Sequence, residues 1–390
     1  MDATQKGILT LIKAAVLQKP FPLPEDFSIE EAYNLIVKQH ITALAFEGAL
    51  LCGISRQESA MVKLFQGYCR SLQISEGQLQ ELKRVFQAFE ENGIDYLPMK
   101  GCVMKGYYPK PELRTMGDAD VLIRPEQNDR IAPVMKKLGF VNEGLRFHHT
   151  EWTTGLLHIE LHHQLVPEEN SVFLTYWKDA WRYAIHQSGY RYAMSTEDTF
   201  LFLVVHFAKH YMGSGIGCRQ AVDLWVYLRA HPELDRAVLR EKMDAMHLWA
   251  FFENIEALLR YWFEDAPANE KLEHITQYIF SAGSWGTTNN LYQTEAIRDL
   301  GHKTSESGMK YIFFVKRILP GAKKLKGDYP ILIKAPWLLP VVWVIRIVDK
   351  LFITRDFAKK RKIFSSEVTT EKVEQRKRDL AYVGLDKCVL

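Results

Sequence analysis

Cysteine is scarce and its spacing is irregular. The five cysteines, Cys52, Cys69, Cys102, Cys218 and Cys388, form no Cys-x-x-Cys pair. An odd, scattered set argues against a disulfide framework and for reduced thiols in a cytoplasmic protein. A signal peptide is not expected, because Met1-Asp2-Ala3-Thr4-Gln5-Lys6 lacks a basic region leading into an apolar core and cleavage site. Long apolar runs are lacking too. Residues 336–348 are apolar, but the stretch is short for a bilayer and contains Pro340 and Arg346. It reads as a buried or partner-facing helix, and Lys359-Lys360-Arg361-Lys362 nearby keeps contact with a membrane surface open. Excess charge is absent as well. Lysine and arginine number 50 against 47 acidic residues, a net charge of +3, with no basic stripe. Nucleic acid is therefore not an expected partner. Internal repeats and low-complexity segments are missing.

What is there is a chain of 390 residues, long enough for two or three cores. Apolar spacing predicts helices over residues 30–51 and 72–89, the second ended by Gly93. Residues 94–99 read as a short buried strand, Lys100-Gly101 as the turn after it and residues 102–108 as a short helix. Residues 119–123 form the next strand and residues 126–138 a helix ended by Gly139, after which Phe140-Val141 opens another extended piece. Residues 156–162 alternate, with Leu157, Ile159 and Leu161 on one side and His158, Glu160 and His162 on the other. From Thr196 the helical pattern returns, and Trp177, Trp181, Trp225, Trp249 and Trp262 read as packing residues, one of them a candidate for stacking. The expected fold is α+β: a small mixed-sheet core over residues 91–185, preceded by a helical region over 1–90. A helical domain over 186–300 and a helical C-terminal region with a basic tail over 301–390 follow it.

The chemistry is concentrated in Arg114-Thr115-Met116-Gly117-Asp118-Ala119-Asp120-Val121. Two acids two residues apart on a strand project from one face, which is costly unless a cation lies between them. Mg²⁺ takes carboxylate and phosphate oxygens together. Lys100 and Arg114 bracket the pair with positive charge suited to a triphosphate, and Gly101 lets backbone approach phosphates. Glu160 supplies a third acid on a later strand, flanked on its own face by His158 and His162. Three acids on neighbouring strands fit two-metal phosphoryl or nucleotidyl transfer.

Leu97-Pro98-Met99-Lys100-Gly101, the Tyr108-to-Ile123 run and Leu157-His158-Ile159-Glu160-Leu161-His162 resemble the uncharacterised nucleotidyltransferase family of the polymerase-β-like superfamily. Trp337-Leu338-Leu339-Pro340 and Arg346 resemble its C-terminal region more weakly. The resemblance implies a nucleotidyltransferase core with Asp118 and Asp120 as the paired metal ligands and Glu160 as the third acid. It implies Mg²⁺ or Mn²⁺ as cofactor and an NTP, ATP among the candidates, as co-substrate. Lys100-Gly101 stands where the superfamily usually has Gly-Ser or Gly-Gly, and the spacing from Gly101 to Asp118 is longer. The resemblance also implies that a histidine of the helix carrying His206 and His210, with Arg219 and Asp223, lines the acceptor side.

The expected activity is Mg²⁺-dependent transfer of a nucleoside monophosphate to a hydroxyl of a small molecule, a sugar or a protein. A nucleotide- or partner-binding module without catalysis is the alternative, motivated by the missing serine. A weaker third reading is a metal phosphohydrolase on His206, His210 and Asp223, since histidines four apart share a helix face. His148-His149 and His162-His163 invite a metal reading of their own.

Overall fold

The computed structural model describes residues 1–146, 149–166, 171–300, 308, 315, 319–325, 329, 331–352, 366 and 368–389. Helix α1 (Ala3–Leu17) begins with a reciprocal cap: Asp2 accepts from the Gln5 backbone at 2.7 Å while Gln5 accepts from the Asp2 N–H. Helix α2 (Ile29–Lys38), capped by Ser28, and α3 (Thr42–Leu51) follow. Helix α4 (Ser59–Glu91) has 33 residues, about 50 Å at 1.5 Å per residue. It starts well before the expected 72–89, and Gly93, at φ +65°, turns the chain into the sheet.

The sheet unit comprises β1 (Tyr96–Pro98), α5 (Gly101–Met104), β2 (Ala119–Ile123), α6 (Asn128–Lys137), β3 (Val141–Arg146), β4 (His149–Thr153), β5 (His158–His162), α7 (Ser171–Trp177), β6 (Ile185–Ser188) and β7 (Arg191–Ala193). The strand order is β3-β4-β5-β2-β1-β7-β6. Pairings β1–β7 and β2–β5 are parallel and the other four antiparallel, so the sheet is mixed. The fold is α+β, a mixed-sheet core in a mainly helical chain.

Alternation gives the two sheet faces different fates. Val121, Ile123, Trp152, Ile159 and Leu161 turn to one side and pack with Leu82, Val85 and Phe89 of α4 and Ile131 and Met135 of α6. The opposite face carries Leu97, Met99 and Leu122 into a larger core. That core also takes α8 (Thr196–Met212), α9 (Cys218–Ala230), α10 (Arg236–Asp244), α11 (Trp249–Phe263) and α12 (Glu270–Ala282). Residues of α1, α3 and the returning helix Thr370–Tyr382 lie in the same cluster. The first helices and the later ones thus share one apolar interior. Trp177, Trp225, Trp249 and Trp262 are buried in it, whereas Trp181 is only partly buried, under the Arg124 guanidinium.

Helix α13 (Thr288–Leu300) leads to a satellite cluster of Leu325, Leu332 and Val342. There α14 (Leu339–Phe352) corrects the buried half of the sequence reading: Val341, Val344, Ile345 and Val348 are all more than half exposed. Among the described residues, its packed side is that of Val342, which joins Leu325 and Leu332 of two four-residue helical turns. Among the described residues no helix is long and apolar enough to cross a membrane. The basic run Lys359-Lys360-Arg361-Lys362 and His148 lie outside the described residues.

Candidate active site

Strand register assembles the site. Parallel pairing of β2 with β5 sets Asp120 opposite Glu160 and Leu122 opposite His162. Antiparallel pairing of β4 with β5 sets Glu151 opposite Glu160 and His149 opposite His162. Paired residues point to the same face. Three strands therefore present a row of acids, Glu151–Glu160–Asp120, next to a row holding His149 and His162. Asp118, just before β2, completes an acidic triad: one carboxylate oxygen from each of Asp118, Asp120 and Glu160 lies within 4.8 Å of the others.

Two side chains, Lys100 and His162, answer these acids. Lys100 forms an ion pair with Asp120, both side chains largely buried. His162 Nε2 lies 2.9 Å from Asp120 Oδ1 and 3.2 Å from Glu160 Oε2; carboxylates only accept, so this nitrogen donates. Burial opposes ionisation of Asp120, but Lys100 and His162 outweigh it and hold the carboxyl well below its usual range. At Asp118, burial and the Asp120 charge push the carboxyl up, with Lys100 only partly offsetting them. Burial also disfavours the Lys100 ammonium, yet Asp120 and Asp118 raise it above its ordinary value.

The Lys100-Gly101 turn is conformationally specific. Lys100 has φ +44° and ψ −116°, a region that costs a side-chain-bearing residue of the order of 1–3 kcal/mol. The surroundings hold it there: the Lys100 carbonyl accepts from Val103 and Met104, and the Met99 N–H donates to the Asp120 carbonyl at 2.9 Å. At Gly101 an added Cβ would meet Met116 at 2.8 Å and Arg114 Nη1 at 3.0 Å. Gly101→Ala is accordingly expected to destabilise by about 1–3 kcal/mol through overpacking and to lower activity by displacing Met116-Gly117-Asp118. Urea unfolding and initial rates check both halves.

The long connection from Gly101 to Asp118 is clamped on both sides. Lys105, 3% exposed, donates to Ser75 and to the Pro111 carbonyl, Gln78 donates to the Met116 carbonyl, and Tyr68 donates to Glu112. Arg114, expected at the phosphates, is held by the carboxylate of Asp223 while its Nη1 stays beside the Gly101 turn. Its Nε and Nη2 reach the two oxygens of Asp223 at 3.2 and 2.8 Å, its Nη1 the Thr115 carbonyl, and Tyr108 donates to the same Asp223. Arg219 also holds Thr115, donating to its carbonyl at 2.9 Å.

Opposite the acids runs α8, whose His206, Lys209 and His210 share one face. Lys209 lies within electrostatic reach of Asp120, Glu160 and Asp118; burial first and Lys100 next bring its ammonium down to about 8. His206 and His210 have ring centres 4.4 Å apart, and burial and neighbouring positive charge hold both imidazoles below their ordinary range. Asp223 accepts from Arg114 and Tyr108. Among the described residues, it does not join His206 and His210 in a group of metal-capable atoms.

Sequence reading singled out Asp118, Asp120, Glu160, Lys100 and His162, which come together, and Gly101 beneath them. It missed Lys209, Glu151 and Trp285. Trp285 is 68% exposed, its N–H directed at His40 Nε2 (2.9 Å), and a Cβ on Gly117 would lie 3.6 Å from the indole. On the apolar side of Lys100, Leu97, Met99, Val103, Phe202 and Tyr227 line a cavity of about 150 Å³.

Three carboxylates at this spacing fit a hard divalent cation, which takes oxygen ligands at about 2.0–2.6 Å. The description of the family whose model matches residues 25–264 is "Uncharacterised nucleotidyltransferase". Neither the curated proteins nor the solved structures provide a significant match. The family match covers more than half of the chain and includes every residue of the acidic site: the protein belongs to the uncharacterised nucleotidyltransferase family.

Proposed function

We propose that this nucleotidyltransferase moves a nucleoside monophosphate from an NTP to a hydroxyl of its acceptor, with Asp118, Asp120 and Glu160 holding Mg²⁺ or Mn²⁺. The observation that carries the reading is the β2–β5 register, which brings three carboxylates from separate chain segments within 4.8 Å on one rigid face. Bound there, the metal would neutralise triphosphate charge and polarise the α-phosphoryl group. The acceptor oxygen bonds to the α-phosphorus, the bond to the bridging oxygen of the β-phosphate breaks, and pyrophosphate leaves. Glu160, held ionised mainly by its hydrogen bond from His162 despite burial, is the third ligand or the acceptor of the hydroxyl proton. Lys100 and Lys209 supply positive charge from the sheet and from α8, and Arg114 positions the loop that ends in Asp118. The exposed Trp285 ring and the cavity beside Lys100, whose volume suits a single six-membered ring, are surfaces for the base and the acceptor. Five free thiols accord with a reducing cytoplasm.

Pyrophosphate release from each NTP across small-molecule, sugar and protein acceptors tests this. Lys209→Ala is expected to raise the KM for NTP about 10-fold or more without loss of stability, since burial makes the ammonium unfavourable in the fold. An unchanged KM removes Lys209 from the phosphates. One observation favours the second reading, a binding module without turnover: the Lys100 ammonium already neutralises Asp120. Metal-independent NTP binding with no pyrophosphate from any acceptor is its signature.

A further inference from the structure

Four carboxylates meet on this sheet face: Asp118, Asp120, Glu151 and Glu160. One lysine forms an ion pair with them and a second stands across the cleft. Beside Glu151 and Glu160 lie two imidazoles, His149 and His162, which sit directly opposite one another on β4 and β5.

We propose that His149, His162 and Glu160 form a second, nitrogen-containing metal site for a Zn²⁺-class ion, distinct from the all-oxygen site of the acidic triad and sharing Glu160 with it. The proposal rests on the nucleotidyltransferase reading only in that shared carboxylate. Its geometry stands alone. One ring nitrogen each of His149 and His162 and an oxygen of Glu160 all lie within 4.8 Å of one another. His162 Nε2 is 3.2 Å from Glu160 Oε2 and His149 Nε2 is 3.7 Å from Glu160 Oε1. Donors about 2.0–2.2 Å from a tetrahedral ion are roughly 3.4 Å apart, so these two separations need little adjustment. Glu151 Oε1, 3.2 Å from His149 Nε2, is within reach as a fourth donor, and Asp120 Oδ1, 2.9 Å from His162 Nε2, flanks the other side.

Donor type sets the class of ion. Imidazole suits Zn²⁺, Fe, Ni and Cu, whereas Mg²⁺ prefers oxygen and keeps its waters. Two nitrogens and a carboxylate are therefore a poor cage for Mg²⁺ and a good one for Zn²⁺ or its spectroscopic substitute Co²⁺. Both histidines and Glu160 stand on paired strands rather than loops, so the separations are fixed by the sheet. His149 and His162, each from one of the sequence's histidine doublets, are thus the nitrogen ligands.

Titration of the purified, metal-stripped full chain with Co²⁺ in excess Mg²⁺ tests the proposal, read by visible absorption and calorimetric stoichiometry. The expected result is one Co²⁺ per chain with the intense bands of four-coordinate, nitrogen-ligated cobalt, displaced by Zn²⁺. Asp118→Asn, which touches only the oxygen site, keeps the bands. His149→Gln and His162→Gln each weaken binding by more than the roughly 10–100-fold typical of losing an outer hydrogen-bond partner of a ligand. Two independent variants, each checked by far-ultraviolet circular dichroism, guard against a failure to fold. Six-coordinate cobalt indifferent to both histidines, or no cobalt bound beside Mg²⁺, overturns the site. Mg²⁺-dependent pyrophosphate release persisting in that case would leave the proposed function standing. Nitrogen-ligated cobalt without any transfer would do the reverse.

Discussion

Asp118→Ala and Asp120→Ala are each expected to lower nucleotidyl transfer by about 10³-fold or more, while moving the stability of the metal-free protein in opposite directions. The common loss follows from the proposed ligand role. A metal-held phosphoryl group gains several kcal/mol of charge stabilisation, and each 1.36 kcal/mol is tenfold in rate. The stability effects divide because neighbours treat the two carboxylates differently. Asp120 is the acceptor for both Lys100 and His162, and its removal leaves a buried ammonium and imidazole without their partner. Breaking a buried pair costs about 3–5 kcal/mol, and relief of repulsion with Asp118 and Glu160 points to the lower end. Asp118 is pushed up by burial and by Asp120, so its ionised form opposes folding and its removal stabilises.

The pH dependence has a definite sign for each. Asp118 titrates above its ordinary 3.8 in the fold, so the folded state binds the extra proton. Stability therefore falls as pH rises from 3.8 through the raised value. Asp120 titrates below 3.8 in the fold. Its contribution is fully present above 3.8 and is lost as pH falls toward the depressed value. Urea unfolding of both variants without metal, across pH 3–7, checks all of this. Equal destabilisation by the two substitutions would contradict the charge arrangement, and full turnover in either would end the metal-ligand proposal. Added Mg²⁺ is expected to stabilise the wild type and neither variant.

How much of this was legible in the sequence follows from which interactions are local. The faces of β2 and β5 were readable, because Ala119-Asp120-Val121-Leu122-Ile123 is an apolar run and residues 157–162 alternate. Their pairing was not. Nothing near Asp120 in the chain announces that Glu160 will stand opposite it, since register is set by the shared burial of Val121 and Ile159 beneath α4. Strand β4 escaped notice because His149-Thr150-Glu151-Trp152-Thr153 buries one large apolar side chain, Trp152, and its other face is the polar site itself. The functional surface erased the strand signal that would have disclosed it. Lys209 carries no signal of its own in the sequence, because only the packing of α8 brings it within reach of the acids. Lys100 at positive φ contradicts local preference, and such departures concentrate where function constrains the backbone. The apolar spacing of α14 was visible, but that its stripe stays uncovered depends on which elements fold nearby.

The partner of Arg114 was the least legible feature, as 109 residues separate it from Asp223, and it carries the second large expectation. Asp223→Ala is expected to destabilise by about 3–5 kcal/mol, because it leaves a guanidinium with 9% side-chain exposure and the Tyr108 hydroxyl without their acceptor. Arg114→Ala costs a comparable amount by stranding the carboxylate. Arg114→Lys recovers only part, since one ammonium cannot make the two-point contact. Arg114→Met combined with Asp223→Leu lies much closer to wild type than the sum of the single changes, because no charge is left buried. The cycle also decides what Arg114 does. If it positions the loop, the single variants lose stability and kcat together, because Asp118 is displaced, and the KM for NTP moves little. If its guanidinium reaches the phosphates during turnover, Arg114→Lys raises that KM at nearly wild-type stability. The short link from Arg114 to Asp118 makes the first outcome the expected one: the ion pair that ties the sheet unit to α9 also fixes where the first acid of the triad stands.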